Sequence, residues 1–390
     1  MTFQIPNVQN CDLLVVGGGI LGTFHAYHAL RKGLKVALLE KDGMPQGATV
    51  RNFGQIVPSG MNAKWQPLGR RSLEIYQSIQ QQFDISARRN GSIYLASDED
   101  EMTLLEEMAS MHQERGYSCE LWTATHCMHH LGALRDEYCL GGLYYPEEIT
   151  LEPTLAIHRI LHHLQSRYGL VYRPNTPVLH LESTGQRVLA EDITGSRWAA
   201  SQAIVCNGAD FNYLFPQLFA DAPLEMCKLH MMQTRSFQDI HLPGSILSGL
   251  TIRRYESFQE CPSYAAVKSM EADSSLLKEF GIHILFKQAL DGSLIIGDSH
   301  EYAPISERHL LDYQIDIQIQ QAILTEAQKI IHLPDWTIER QWYGIYTQCT
   351  EGDIFEATVD DRIHIITGIG GKGMTASPGY SEQTLARIWN

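Results

Sequence analysis

A glycine cluster set between two short apolar runs constrains this chain more than any other feature. Residues 12–22 read Asp-Leu-Leu-Val-Val-Gly-Gly-Gly-Ile-Leu-Gly, a helix-like segment covers 20–32, and a second apolar run, 34–39, ends on Glu40. Strand, turn, helix, strand and acid in that order describe a βαβ unit that binds a dinucleotide. Gly17 lets the chain turn sharply. Gly19 lets the backbone at Ile20 and Leu21 approach a pyrophosphate lying over the helix N-terminus, and Gly22 lets the helix pack closely on the sheet. Glu40 is placed to accept hydrogen bonds from ribose hydroxyls. The three glycines alone are weak evidence; both strands, the helix and the acid at this spacing give them weight.

Composition narrows the partners. The 390 residues suffice for two substantial cores, and 44% hydrophobic with 19% charged residues describes an ordinary globular chain. A formal charge of −15 without a dense Lys/Arg tract argues against nucleic acid. The same field repels anionic ligands at long range, so an anion site needs its own buried cations. No apolar run reaches membrane-spanning length. Residues 1–10 show neither a basic region nor an apolar core, so no secretory signal is expected. The eight cysteines lack a Cys-x-x-Cys pair and are expected as reduced thiols in a cytoplasmic protein.

Further along, Asp42-Gly43, Pro45 and Gly47 break regular structure between Lys41 and Gln55, and a loop this long inside a nucleotide-binding unit is expected to be functional. A helix is expected over 153–168, after which Ala-Ile-Val-Cys-Asn-Gly-Ala, 203–209, forms a strand ending in a second close backbone approach at Asn207 and Gly208. Strand candidates at 224–234, 264–267, 283–287 and 293–298 follow without long helices between them, which suggests an antiparallel sheet. One long helix is expected over 307–331. The last fifty or so residues return to strand, glycine turn and helix, reading Thr-Gly-Ile-Gly-Gly-Lys-Gly-Met-Thr over 367–375.

These three glycine-containing segments, in this order, resemble the D-amino-acid oxidase-like superfamily, which includes glycine oxidase and monomeric sarcosine oxidase. Residues 50–60 (Val-Arg-Asn-Phe-Gly-Gln-Ile-Val-Pro-Ser-Gly) and 295–302 (Ile-Ile-Gly-Asp-Ser-His-Glu-Tyr) look like a branch associated with phosphonate catabolism. The resemblance implies an α/β fold with an α+β second domain. A Rossmann-like FAD-binding domain with a central parallel sheet would comprise 1–85, 145–215 and 335–390. An antiparallel-sheet substrate domain would comprise 86–144 and 216–334. FAD is the implied cofactor. Gly17, Gly19, Ile20, Leu21, Gly22, Glu40 and Lys41 would take its adenosine half, with the Val178 backbone at the adenine. Thr49, Asn52, Phe53, Gly54 and Gln55 would pass beneath the isoalloxazine, and Gly371, Lys372, Gly373, Met374 and Thr375 would follow its pyrimidine edge. Gly344 stands where related enzymes attach flavin through a cysteine, so FAD is expected to be non-covalent.

For the substrate, Arg51 matches a position that holds a carboxylate in sarcosine oxidase-like enzymes, and its fork suits a phosphonate equally. It is equally consistent with a surface arginine or one that contacts only FAD. Tyr346 replaces an arginine of glycine oxidase-like members and is either an anion donor or a packed aromatic. Lys372 is either a second cation near the flavin or a solvated helix-terminal lysine. His300, with Asp298 and Tyr302 after a strand expected to face the flavin, is a candidate pocket residue or plain turn chemistry. His129-His130 and His162-His163 lack a second ligand pair at zinc-like spacing, so no metal is expected. The implied reaction is oxidation of a C–N bond in a small anionic amine such as 2-aminoethylphosphonate or its N-methyl form. Hydride would pass to flavin N5, the imine would hydrolyse, and O₂ or another acceptor would take the electrons; no side-chain base is assigned. Glycine, sarcosine or D-amino acid oxidation, and a non-catalytic FAD-binding subunit, remain alternatives.

Overall fold

The computed structural model describes residues 8–270 and 276–389. At its centre the strand Leu13–Val16 pairs in parallel with Val36–Leu39 on one side and Gln202–Val205 on the other. All three read as apolar runs because both faces of a parallel sheet are covered. Val171–Arg173 and Ile363–Thr367 extend the sheet outward, and Phe355–Val359 closes it in an antiparallel hairpin with the latter. The helix Ile20–Arg31 is buried continuously from Ile20 to Leu30. It lies between Pro153–Tyr168 and Gly373–Ile388, so it has no solvent face to make polar.

A second, nine-stranded sheet is built around Leu224–Ser236 and Ile338–Cys349, antiparallel along nearly their whole lengths. Its pairings are antiparallel apart from Ser245–Leu247 beside Ser92–Ala96. The far end of Ile338–Cys349 reaches back to the glycine turn of the first sheet. Gln348 bridges Ile369, and the Cys349 N–H donates to the Gly368 carbonyl at 2.9 Å. A four-stranded sheet, Val8–Asn10, Arg197–Ala200, Val188–Asp192 and Val178–Ser183, flanks the nucleotide end.

Two expected elements are different. Residues 264–267 belong to the helix Tyr264–Ser269, where the central Ala-Ala pair favours helix over strand. The single helix expected over 307–331 is broken. A 3₁₀ turn, Ile305–Leu311, stops at Asp312, whose φ is +24°, and a new helix, Ile317–Ile330, begins after Asp316. The two aspartates cause the break. Asp312 accepts from the Gln314 N–H, and Asp316 caps the new helix by accepting from Gln318 and Ile319.

Among the described residues no helix is long and apolar enough to cross a membrane. The eight cysteines are free, and all but Cys349 are buried. His25 and His112 are held neutral by burial, their pKa values pushed down to about 3, and His28 and His230 are held at about 4. An unfolded chain binds protons on these rings as pH falls through about 6.5, where the folded chain does not, so stability is lost on acidification. Buried Glu148, raised to about 7, works in the opposite sense, but it is outweighed by these four rings together with His300, which burial also drives down to about 3. The melting temperature is therefore expected to be lower at pH 5 than at pH 7.5; a scan showing no decrease would contradict this account.

Candidate active site

A cavity of about 1080 Å³ opens between the two large sheets. It is larger than the roughly 300–1,000 Å³ common for a single small ligand, as a dinucleotide and a substrate together require. Its nucleotide end is shaped by missing side chains. Gly17 sits at φ +99°, and a Cβ there would lie 2.2 Å from the Cys206 carbonyl oxygen. A Cβ on Gly22 would lie 1.9 Å from the Gly17 carbonyl oxygen, so helix and strand meet backbone to backbone. At Gly19 the same test meets only the Thr49 hydroxyl, at 3.3 Å, which leaves the helix N-terminus open to the cavity. That terminus has no side-chain cap and no acid in its first turn, the condition in which an anion is favoured. Thr49 Oγ1 accepts from the Ile20 N–H at 2.9 Å.

Glu40 is buried and accepts from the Gly18 N–H at 2.8 Å and the Asp42 N–H at 3.0 Å. These bonds fix the carboxylate and leave it lone pairs for further donors. Lys41 pairs with Asp42 at 2.8 Å and reaches towards Asp210 at 4.0 Å. Val178 is buried at the cavity edge. Asn207 leaves its side-chain oxygen buried without a hydrogen-bond partner beside Gly208, on the lining of the cavity.

The segment 49–55 holds itself in shape. The Asn52 amide donates to the Ala48 and Thr49 carbonyls, its oxygen accepts from the Gly54 N–H, and Gln55 pairs with Thr150 in a two-residue strand. Phe53 is buried. Opposite lies the turn Gly370–Lys372 and the helix Gly373–Ile388, again without acids in its first turn. Met374 and Thr375 turn their backbone and hydroxyl to Tyr76 and Val57. Every cofactor-site residue expected from sequence lines the cavity except Gly22, which packs beneath it.

The substrate candidates come to the same cavity in different states. Arg51 donates through Nε to the Gln46 carbonyl at 2.9 Å and through a terminal nitrogen to the Tyr343 carbonyl at 3.4 Å. Lys372 is held by Glu256 at 2.6 Å, with Asp353 at 3.8 Å, so its charge is largely answered. The Tyr346 hydroxyl lies about a van der Waals contact, 4.0 Å, from where a Cβ on Gly371 would stand. Burial pushes that phenol well above its usual pKa, so it is a neutral donor. His300 is buried, and its Nδ1 faces the Gly281 carbonyl at 3.2 Å. Burial drives its pKa down to about 3, leaving the ring neutral.

Sequence reading missed Arg254. It lines the cavity, donates to the Tyr302 hydroxyl at 2.9 Å, and has no carboxylate within ion-pair distance among the described residues. Its neighbour Arg253 is spent on Asp98 at 2.6 Å and Glu101 at 2.8 Å. Two adjacent arginines in an unpatterned stretch gave no signal as to which would face inward. Tyr255 and His283 complete this wall, with Asp298 between His283 and His300.

A glycine-lined nucleotide cradle joined to a buried, charged pocket defines a flavin- or nicotinamide-type oxidoreductase site, and the comparisons settle which. The chain belongs to the FAD dependent oxidoreductase family, whose model matches residues 12–387. Glycine oxidase of Bacillus licheniformis is 25% identical over 222 residues, spanning 54% of this chain and 57% of that enzyme, little more than half its length. L-Proline dehydrogenase of P. horikoshii superposes with a TM-score of 0.80 at 17% identity, covering 98% of this chain and 94% of that one. L-α-Glycerophosphate oxidase of Mycoplasma pneumoniae, solved with FAD bound, gives 0.76 at 17% identity, covering 98% and 96%. At these identities the structural likeness speaks for the fold. The cradle fits FAD: an open helix terminus for the pyrophosphate, a fixed Glu40 for the ribose, and an orphaned Asn207 oxygen.

Proposed function

We propose that this chain is an FAD-dependent amine oxidoreductase that oxidises the C–N bond of a small amine carrying a phosphonate. Arg254 carries this reading: a guanidinium on the wall of a buried cavity, unpaired by any described carboxylate in a protein of net charge −15, is arranged for an anionic ligand. Bound FAD supplies the hydride acceptor. The protein's part is orientation and exclusion of water. Arg254 grips the anionic group, the neutral Tyr346 hydroxyl donates a further bond, and Tyr255 and Tyr343 line the space around them. Arg51 contributes positive potential from beside Tyr343, and Lys372 contributes less because Glu256 answers it.

In this division of labour 1–85, 145–215 and 335–390 hold the cofactor, and 86–144 with 216–334 wall the substrate, joined there by Ile338–Cys349 through its ladder with Leu224–Ser236. A carboxylate amine such as glycine or sarcosine is the second reading. It is favoured by the engagement of Arg51 with two carbonyls, since one free guanidinium suffices for a carboxylate. Anaerobic titration followed by visible spectroscopy separates the readings. 2-Aminoethylphosphonate or its N-methyl form is expected to bleach the flavin band at lower concentration than glycine or sarcosine. Bleaching by glycine alone would overturn the phosphonate assignment, and no bleaching by any amine would point to a non-catalytic subunit.

A further inference from the structure

The wall of the cavity carries buried charge of both signs. Beside Arg254 stands Asp298, which keeps about 10% of its side chain exposed, and whose Oδ1 finds no aligned hydrogen-bond donor. His283 Nε2 lies 3.0 Å from that oxygen but off the direction of a good bond. One nitrogen from each of His283 and His300 and one oxygen of Asp298 lie within 4.8 Å of one another. The two rings are tethered from behind. His283 Nδ1 meets the Thr251 hydroxyl at 3.1 Å, and His300 Nδ1 meets the Gly281 carbonyl. A carbonyl only accepts, so His300 Nδ1 carries the hydrogen, and in the neutral ring Nε2 is left as an acceptor.

We propose that Asp298, with His283 and His300, is the subsite for the substrate's ammonium group, and that it selects amines over hydroxyl analogues with the same anionic group. This rests on the reading of the cavity as the site of an anionic amine. An ammonium presents several N–H donors and one positive charge; the subsite offers a carboxylate and ring nitrogens close together. Arg254 and Asp298 form no direct ion pair among the described residues, so together they mirror a zwitterion. A hydroxyl isostere would fill the same space but bring Asp298 no positive charge and fewer N–H or O–H donors, a costly substitution in a buried site.

Capture and chemistry then depend on pH in opposite directions. Binding favours the protonated amine, whereas hydride leaves only from the neutral one, after an N–H bond breaks and its proton passes to water with the electron pair kept on nitrogen. A neighbouring carboxylate favours the charged form, so Asp298 raises the pKa of the bound amine. Removing that charge must shift the rise of the flavin reduction rate to lower pH. The other groups facing Asp298 are His283, His300, Arg254, Tyr255, Tyr346 and Cys227. His300 and the two phenols stay neutral through the working range, because burial holds the ring near 3 and raises Tyr255 and Tyr346.

The test uses FAD-loaded wild type and Asp298→Asn, with the visible spectrum of the bound flavin as the check on folding. Binding is read from spectral perturbation by 2-aminoethylphosphonate, 2-hydroxyethylphosphonate and ethylphosphonate, and reduction by anaerobic stopped flow across pH. Asp298→Asn is expected to weaken the amine about tenfold or more, to leave ethylphosphonate within about twofold, and to move the reduction limb to lower pH. His300→Gln should weaken the amine less and leave the limb in place. Equal loss for amine and ethylphosphonate, or an unmoved limb in Asp298→Asn, would overturn the proposal. So would stoichiometric Zn²⁺ or Fe²⁺ retained by the wild-type holoenzyme after dialysis and lost in the variant. Where glycine is the better reductant, glycine and acetate replace the phosphonates, so amine capture is judged even if the phosphonate reading falls. If no amine binds, both readings fall together.

Discussion

Gly22→Ala is expected to yield a chain that no longer retains FAD. The new Cβ would lie 1.9 Å from the Gly17 carbonyl oxygen, a backbone atom, so no rotamer change relieves the clash. Helix Ile20–Arg31 would have to move off strand Leu13–Val16, carrying with it the N-terminus that faces the cavity. The helix is also buried against Gly373–Ile388, so the displacement spreads into the core. Overpacking of this kind costs about 1–3 kcal/mol and sometimes more, and it falls on the element that aims backbone N–H groups at the pyrophosphate. The measurement is the flavin-to-protein absorbance ratio after desalting, with circular dichroism as the control for folding. Gly132→Ala is the matched comparison, because a Cβ there meets nothing within 4 Å and the residue lies away from the cavity lining. Full flavin occupancy in Gly22→Ala would show that the helix has more room than the structure gives it.

Arg254→Met should leave FAD bound and lower the second-order rate constant for flavin reduction by about two orders of magnitude. That figure corresponds to a loss near 2–3 kcal/mol, ordinary for removing one partner of a desolvated charge contact. Methionine keeps most of the stem's volume, so the Tyr302 side retains its packing while losing one hydrogen bond. The effect should appear in the apparent affinity for the anionic amine and equally for its des-amino anion, which separates it from loss at Asp298. Arg51→Met is the informative companion. Its guanidinium holds the Gln46 and Tyr343 carbonyls, so its loss should loosen the 46–51 loop and weaken flavin binding as well as substrate. A similar affinity for substrate in Arg254→Met and wild type would remove the anchor of the proposed function.

The nucleotide end was legible in sequence because its requirements are local. Gly17, Gly19, Gly22 and Glu40 act within one βαβ unit, where spacing along the chain fixes spacing in space. The same holds for the glycine turn before the last helix. The opposite wall of the cavity was legible only in part, because its residues come from strands and turns distant in sequence. His300 and Tyr346 could be placed on it through family resemblance. Arg254 could not, since it sits in the turn after the short helix Gly249–Ile252, next to an arginine whose guanidinium pairs with Asp98 and Glu101. Lys372 was visible as a cation, but its partner Glu256 lies 116 residues away and nothing in the local sequence announces it. The broken helix after Leu311 illustrates the same limit at the level of the fold: apolar periodicity carried across two aspartates whose capping bonds outweighed it.

The two ends of the cavity differ in how freely they can be rewritten. The cradle works through backbone and through positions where no side chain fits, so almost any change there is a loss. The opposite wall is gathered from several elements: Tyr343 and Tyr346 from Ile338–Cys349, Arg254 and Tyr255 from the turn after Gly249–Ile252, and His283, Asp298 and His300 from the ends of Leu285–Gln288 and Ser293–Gly297. One end of the cavity is thus defined by backbone atoms and the other by side-chain chemistry, and it is at the second end that a single substitution changes what the cavity can hold.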